Sequence, residues 1–143
     1  MAAQTADRYL VRHDDPATGV HGGTLKAAAK IFKGSLVVRD ASGYLIKGST
    51  STTLIPMGVS PETVDNTSGA NGDKSVTLMT GAFEFENSTA GDLIGLTEIG
   101  VDVYIVDDQT VAKTNGGSTR SRAGKCVGVT SAGKVVVRVA PGL

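Results

Sequence analysis

Turn-forming residues punctuate this chain about every 8 to 12 positions, and between them lie short runs in which apolar and polar residues alternate. That rhythm suits half-buried strands joined by tight turns and leaves little room for long helices. Three strand–turn–strand units stand out: Ser35–Lys47, Val101–Lys113 and Lys125–Ala140. In the first, Leu36–Arg39 runs out, Asp-Ala-Ser-Gly turns, and Tyr44–Lys47 returns, with Gly43 supplying the positive φ of the turn. The first two units share an aspartate at the end of the outgoing strand, Asp40 and Asp108, but no period relates them, so they are recurring hairpin chemistry and not a repeat. The last unit sets Val135, Val137 and Val139 against Val136 and Arg138.

Other segments carry more specific expectations. Leu25, Ala27, Ala29 and Ile31 alternate with their neighbours, which predicts a strand over residues 25–32 despite the helix-favouring Ala and Lys content. In TLIPMGVSPETV, Leu54, Ile55 and Val59 read as strand residues, and Pro56 and Pro61 argue against a place at the centre of a sheet. Val76, Leu78, Phe83 and Phe85 are expected on one side, opposite Thr77, Thr80, Glu84 and Glu86, with the two Phe residues anchoring the core. Thr97–Gly100 reads as one helical turn stopped by glycine. The fold class that follows is all-β: a small antiparallel barrel or sandwich built from hairpins over residues 24–143, preceded by an extended N-terminal arm, residues 1–23. The arm mixes small, charged and turn-forming residues. Its one apolar patch is Tyr9, Leu10 and Val11, the candidate contact with a partner surface or a neighbouring subunit.

At 143 residues the chain has the size of one domain. With 4% aromatic residues and no Trp, the composition suggests a core built largely from Val, Leu, Ile and Ala around the two Phe anchors. A formal net charge of zero argues against a polyanion as the main partner, since nucleic-acid affinity rests on Lys and Arg neutralising phosphates. No run approaches the roughly 18 apolar residues of a membrane-spanning helix, and the N-terminus lacks the apolar run of a signal peptide. The expectation is a protein that folds and acts in the cytoplasm, or in something assembled there. Cys126, the one cysteine, lies in the apolar string KCVGV and reads as a buried small hydrophobe.

Candidates for chemistry are few. Asp107 and Asp108 are adjacent, so on a regular strand they point to opposite faces; at a strand end they read as acceptors for the turn's own amides. Asn115-Gly116-Gly117-Ser118 has the glycine of a phosphate loop without its spacing or its helix. His13 and His21, with Asp14 and Asp15 between them, fall in the arm, and a metal site there would need three or four rigid ligands. Arg120, Arg122 and Lys125 form a small basic cluster with no aromatic residue among them to stack on a base. A hydrolase would have to recruit His13 or His21 from the arm. No catalytic residue, cofactor or metal is expected.

Four strings in order, KIFKGSLVVRD, GVSPETVDNTSGANGDKSVTL, GAFEFENS and YIVDDQTVAKTNGGSTRSRAGKCVGV, resemble the capsid decoration, or cement, proteins of tailed-phage heads. The resemblance runs from Lys30 to Val139 and does not cover the arm. It implies a compact β domain on the outer face of an icosahedral head, made in a bacterial cytoplasm and carried on the virion. It also implies association as a homotrimer, contact with the major capsid protein, and no catalysis. On that reading Tyr9, Leu10 and Val11 of the arm are candidate capsid or inter-subunit contacts. A β-rich receptor- or glycan-binding module of a phage tail or appendage is the alternative, and would call for exposed aromatic rings at loop tips.

Overall fold

The computed structural model describes residues 2–9, 12–13 and 20–141. It is all-β, with three antiparallel sheets and no closed barrel, so the body is a sandwich. The strands are β1 (Arg12–His13), β2 (Val20–Thr24), β3 (Lys30–Ile31), β4 (Leu36–Arg39), β5 (Leu45–Lys47), β6 (Ile55–Val59) and β7 (Val64–Asp65). They continue with β8 (Ser75–Met79), β9 (Gly81–Phe85), β10 (Asp102–Ile105), β11 (Val111–Ala112), β12 (Arg122–Val129) and β13 (Val135–Val139). One sheet has the order β1-β9-β13-β12-β10-β11, the second β2-β8-β6-β4-β5, and β3 pairs with β7. Among the described residues no helix is long and apolar enough to cross a membrane.

The three expected hairpins form: β4–β5, β10–β11 and β12–β13 are antiparallel pairs. The β4–β5 turn is closed by Asp40, whose Oδ1 accepts the amides of Ser42 at 2.9 Å and Tyr44 at 3.0 Å, while Gly43 sits at φ 94°. The helical turn is a 3-10 turn over Leu96–Glu98, and Gly100 follows it at φ 91°.

The five-stranded sheet is covered on both faces. Leu36, Val38 and Val59 join Phe83, Phe85, Val103, Ile105, Val135, Val137 and Val139 in the core between the two large sheets. Val37, Val76 and Leu78 face the other way and pack with Leu25, Ile31 and Leu45 in a second core. Strand β4 is therefore apolar at three successive positions because neither face meets water.

Three expectations are corrected. Residues 25–32 are not one strand: Ala28 takes φ 61° in a turn closed by the Ala29 amide on the Lys26 carbonyl at 3.2 Å, so only Lys30–Ile31 is extended and paired. Pro56 lies in β6, the middle strand of five, opposite Val38 where the β4–β6 register shifts. The ladder from β6 to β8 holds only Val59↔Met79, so Pro56 misses no amide bond on that side. Finally, Val76 and Leu78 do not share a side with Phe83 and Phe85. The chain changes sheets between Met79 and Gly81, and the two pairs enter different cores.

Candidate functional site

The turn between β10 and β11 carries the adjacent aspartates, and it separates their roles. Asp107 accepts the Gln109 amide on Oδ1 at 3.0 Å, which is the turn role expected of it. Asp108 does something else. It is fully buried, its Oδ1 accepts the Gln4 amide at 2.8 Å and its Oδ2 the Ser35 hydroxyl at 3.0 Å, and its carbonyl takes the Leu36 amide at 2.8 Å. Burial pushes the Asp108 carboxyl above the usual carboxylate range; the two hydrogen bonds and the field of Lys47 oppose that shift without cancelling it.

Asp108 thus joins three distant pieces of chain: the leading segment, the start of β4 and its own hairpin. Around it the leading segment is tied down by polar bonds. Gln4 is buried, and its Nε2 donates to the Lys33 carbonyl at 2.7 Å. The Gln109 side chain donates to the Ala2 carbonyl at 2.8 Å, the Arg8 amide to the Lys33 carbonyl at 3.3 Å, and the Thr63 hydroxyl to the Asp7 carboxylate. Gly34, at φ 87°, lets the Arg8 side chain cross: a Cβ there would lie 2.5 Å from Arg8 Cγ. Further on, β1 adds to the edge of the six-stranded sheet beside β9, and β2 pairs with β8 across the expected boundary between Gly23 and Thr24. The described parts of the leading segment thus lie on the chain's own body. Of the candidate contact residues, Tyr9 is 84% exposed, and Leu10 and Val11 lie outside the described residues.

The other candidates are occupied by internal bonds. Gly116, Gly117 and Ser118 take φ 63°, 70° and 68°, and the turn closes on Asn115, whose carbonyl accepts the amides of Thr119 at 3.0 Å and Arg120 at 3.1 Å. Arg120 pairs with Asp92 at 3.2 Å and donates to the Thr114 carbonyl at 3.1 Å. Arg122 and Lys125 both reach Asp102, at 3.2 and 2.7 Å. These partners hold the Asp102 carboxyl below its usual range, with the Lys125 bond as the main cause. Cys126 is buried as expected, its thiol pushed up by desolvation, 3.5 Å from the Gly128 carbonyl. Asp14 and Asp15 and the side chains of His13 and His21 lie outside the description; among the described residues no three His, Cys, Asp or Glu side chains cluster as metal ligands.

Sequence reasoning passed over one surface. Leu93, Leu96, Ile99 and Val101 are 45–76% exposed, and Val127 of β12 is 45% exposed. The segment and the strand are tied together: the Gly100 amide donates to the Cys126 carbonyl at 2.7 Å, and the Cys126 amide to the Val101 carbonyl at 3.0 Å. Beneath them Asn87 clamps Ile94 in both directions, Nδ2 to its carbonyl at 2.8 Å and Oδ1 from its amide at 2.9 Å. Glu98 closes the turn by accepting the Gly95 amide at 2.7 Å and the Thr97 hydroxyl at 2.9 Å, with Lys113 at 3.2 Å. Those partners, the Gly95 amide foremost, hold its carboxyl below the usual range. The available signal was five large apolar residues in nine positions, Ile94 among them, broken by glycines, with no alternation to bury them. No protein-family model matches the chain, and no curated protein matches it.

Proposed function

We propose that this protein is a phage-head decoration protein. It binds the outer surface of the capsid, bridges major capsid protein subunits as a homotrimer, and stiffens the shell against the pressure of packaged DNA. The observation that carries the reading is the meeting at Asp108. Two of the strings that resemble the decoration family, KIFKGSLVVRD and YIVDDQTVAKT, contribute Ser35 and Asp108, and those side chains bond each other and the leading segment. The most specific part of the resemblance therefore coincides with the joint between a rigid β body and a strap. The strap from Ala2 to Arg8 is held by hydrogen bonds and an ion pair, and buries no large apolar side chain. Each such bond contributes about 0.5–1.5 kcal/mol net, and an equivalent set on a neighbouring subunit would replace them with little loss. Ordering the backbone costs about 1–2 kcal/mol per residue, so several contacts have to act together. A trimer supplies that multivalency, since one docked copy raises the effective concentration of the other two.

The receptor- or glycan-binding alternative calls for exposed rings. Among the described residues Tyr9 is the one exposed aromatic; Phe83 and Phe85 are core residues, and Phe32, Tyr44 and Tyr104 are half-buried. Adding the purified protein to mature heads that lack it tests the proposal. Saturable co-sedimentation and a higher temperature of DNA release are expected; heads that sediment without it would refute the function.

A further inference from the structure

We infer that the surface formed by Leu93, Leu96, Ile99, Val101 and Val127 is where copies of this chain meet one another. This deepens the homotrimer of the proposed function and rests on it for the biological setting. Five of the seven large hydrophobic side chains exposed among the described residues lie here, on one short segment and the strand bonded to it. Together they leave on the order of 400 Å² of apolar side chain open, a size at which patches mark interaction sites. A standard interface covers about 800 Å² per partner, so this patch has the dimensions of an apolar centre with a polar rim around it.

The rim says what covers it. Every charged side chain between Ala90 and Val103 is paired within the chain: Asp92 with Arg120, Glu98 with Lys113, and Asp102 with Arg122 and Lys125. A different protein selected by charge would need an unpaired charge to recognise. Copies of one chain need the reverse, because unpaired like charges would repel when the same face returns in each copy. The rim is neutralised in place, as the surface of a self-associating chain requires. It is also preformed. The Asn87 clamp on Ile94, the Glu98 bond to Gly95 and the ladder from Gly100–Val101 to Cys126 hold the segment before any partner arrives, so little ordering cost remains for association.

Sedimentation velocity on the full chain at micromolar concentration tests this. The wild type is expected to sediment as one discrete oligomer. Leu96→Asp, and separately Val127→Asp on the neighbouring strand, should sediment as monomers where the wild type is fully associated, with an unchanged far-UV spectrum and a melting temperature that no longer depends on protein concentration. Leu96 is 76% exposed, so its replacement leaves the core alone. A monomeric wild type, or variants that keep the wild-type size, would overturn the inference. A monomeric wild type whose binding to heads is abolished by Leu96→Asp would assign the patch to the shell instead, and equally overturns self-association. Head binding by the wild type is read separately: association through the patch without head binding sinks the function alone, and head binding with a patch-independent oligomer sinks the inference alone.

Discussion

Replacing Gly124 by alanine adds one methyl group to the centre of the six-stranded sheet, and there is no space for it. Gly124 lies in β12, between β13 and β10. A Cβ at this position would stand 2.1 Å from the Arg138 carbonyl oxygen and 3.1 Å from both its carbonyl carbon and Val137 Cγ1. The nearest obstacle is backbone, which cannot rotate away as a side chain can. Carbon prefers about 3.5 Å or more to its non-bonded neighbours, so β12 and β13 must part by about 1 Å. That displacement stretches ladder bonds from about 2.9 Å beyond useful length. Overpacking costs about 1–3 kcal/mol and one buried backbone group left without its partner about 1–3 kcal/mol, which gives about 2–6 kcal/mol for Gly124→Ala. Gly128→Ala is the control, four residues along the same strand and beside the same partner. Its Cβ would meet nothing closer than Val136 Cβ at 4.0 Å. Alanine there removes glycine's entropic penalty and should be neutral or stabilising by about 0.5–1 kcal/mol. Urea unfolding followed by far-UV circular dichroism measures both. A gap below about 1 kcal/mol between the two variants would refute the packing argument, because the chemical change is the same in each.

Phe83→Ala should cost about 3–5 kcal/mol, since the ring is 1% exposed and packs in the core between the two large sheets; an unchanged urea midpoint would contradict that placement. Asp108→Asn should stabilise the protein at neutral pH. The folded carboxyl titrates above its unfolded value, so its stabilising contribution is complete below the ordinary aspartate range and is lost as pH rises through the folded pKa. Asparagine keeps an acceptor for the Gln4 amide and a polar partner for Ser35. The advantage of the variant, read from urea midpoints across a pH series, should grow from acid toward neutral pH; a constant difference would show that ionisation of Asp108 is not the cause.

The hairpins were legible in the sequence because their causes are local. The Asp40 carboxylate closes its own turn within four residues, Gly43 adopts the φ its position requires, and alternation alone places Val135, Val137 and Val139 inward. Cys126 could be read as buried from its apolar neighbours. The exposed segment 93–101 was visible only as composition, since nothing local says that a short apolar run will be left uncovered.

Within the sequence, the three hairpins, their turns and the all-β class were settled locally, because a turn and its two strands are specified within a dozen residues. The assignment of strands to sheets was decided in three dimensions. The same alternation that runs through Val76–Phe85 feeds two different cores once the chain crosses between sheets, and Pro56 is tolerated centrally because the ladder on its β8 side is incomplete. Asp108 is the clearest case. Its partners Gln4 and Ser35 lie 104 and 73 residues away, and short-range patterning carries no information about a bond over that separation, so only the assembled tertiary structure makes a turn residue the anchor of the leading segment.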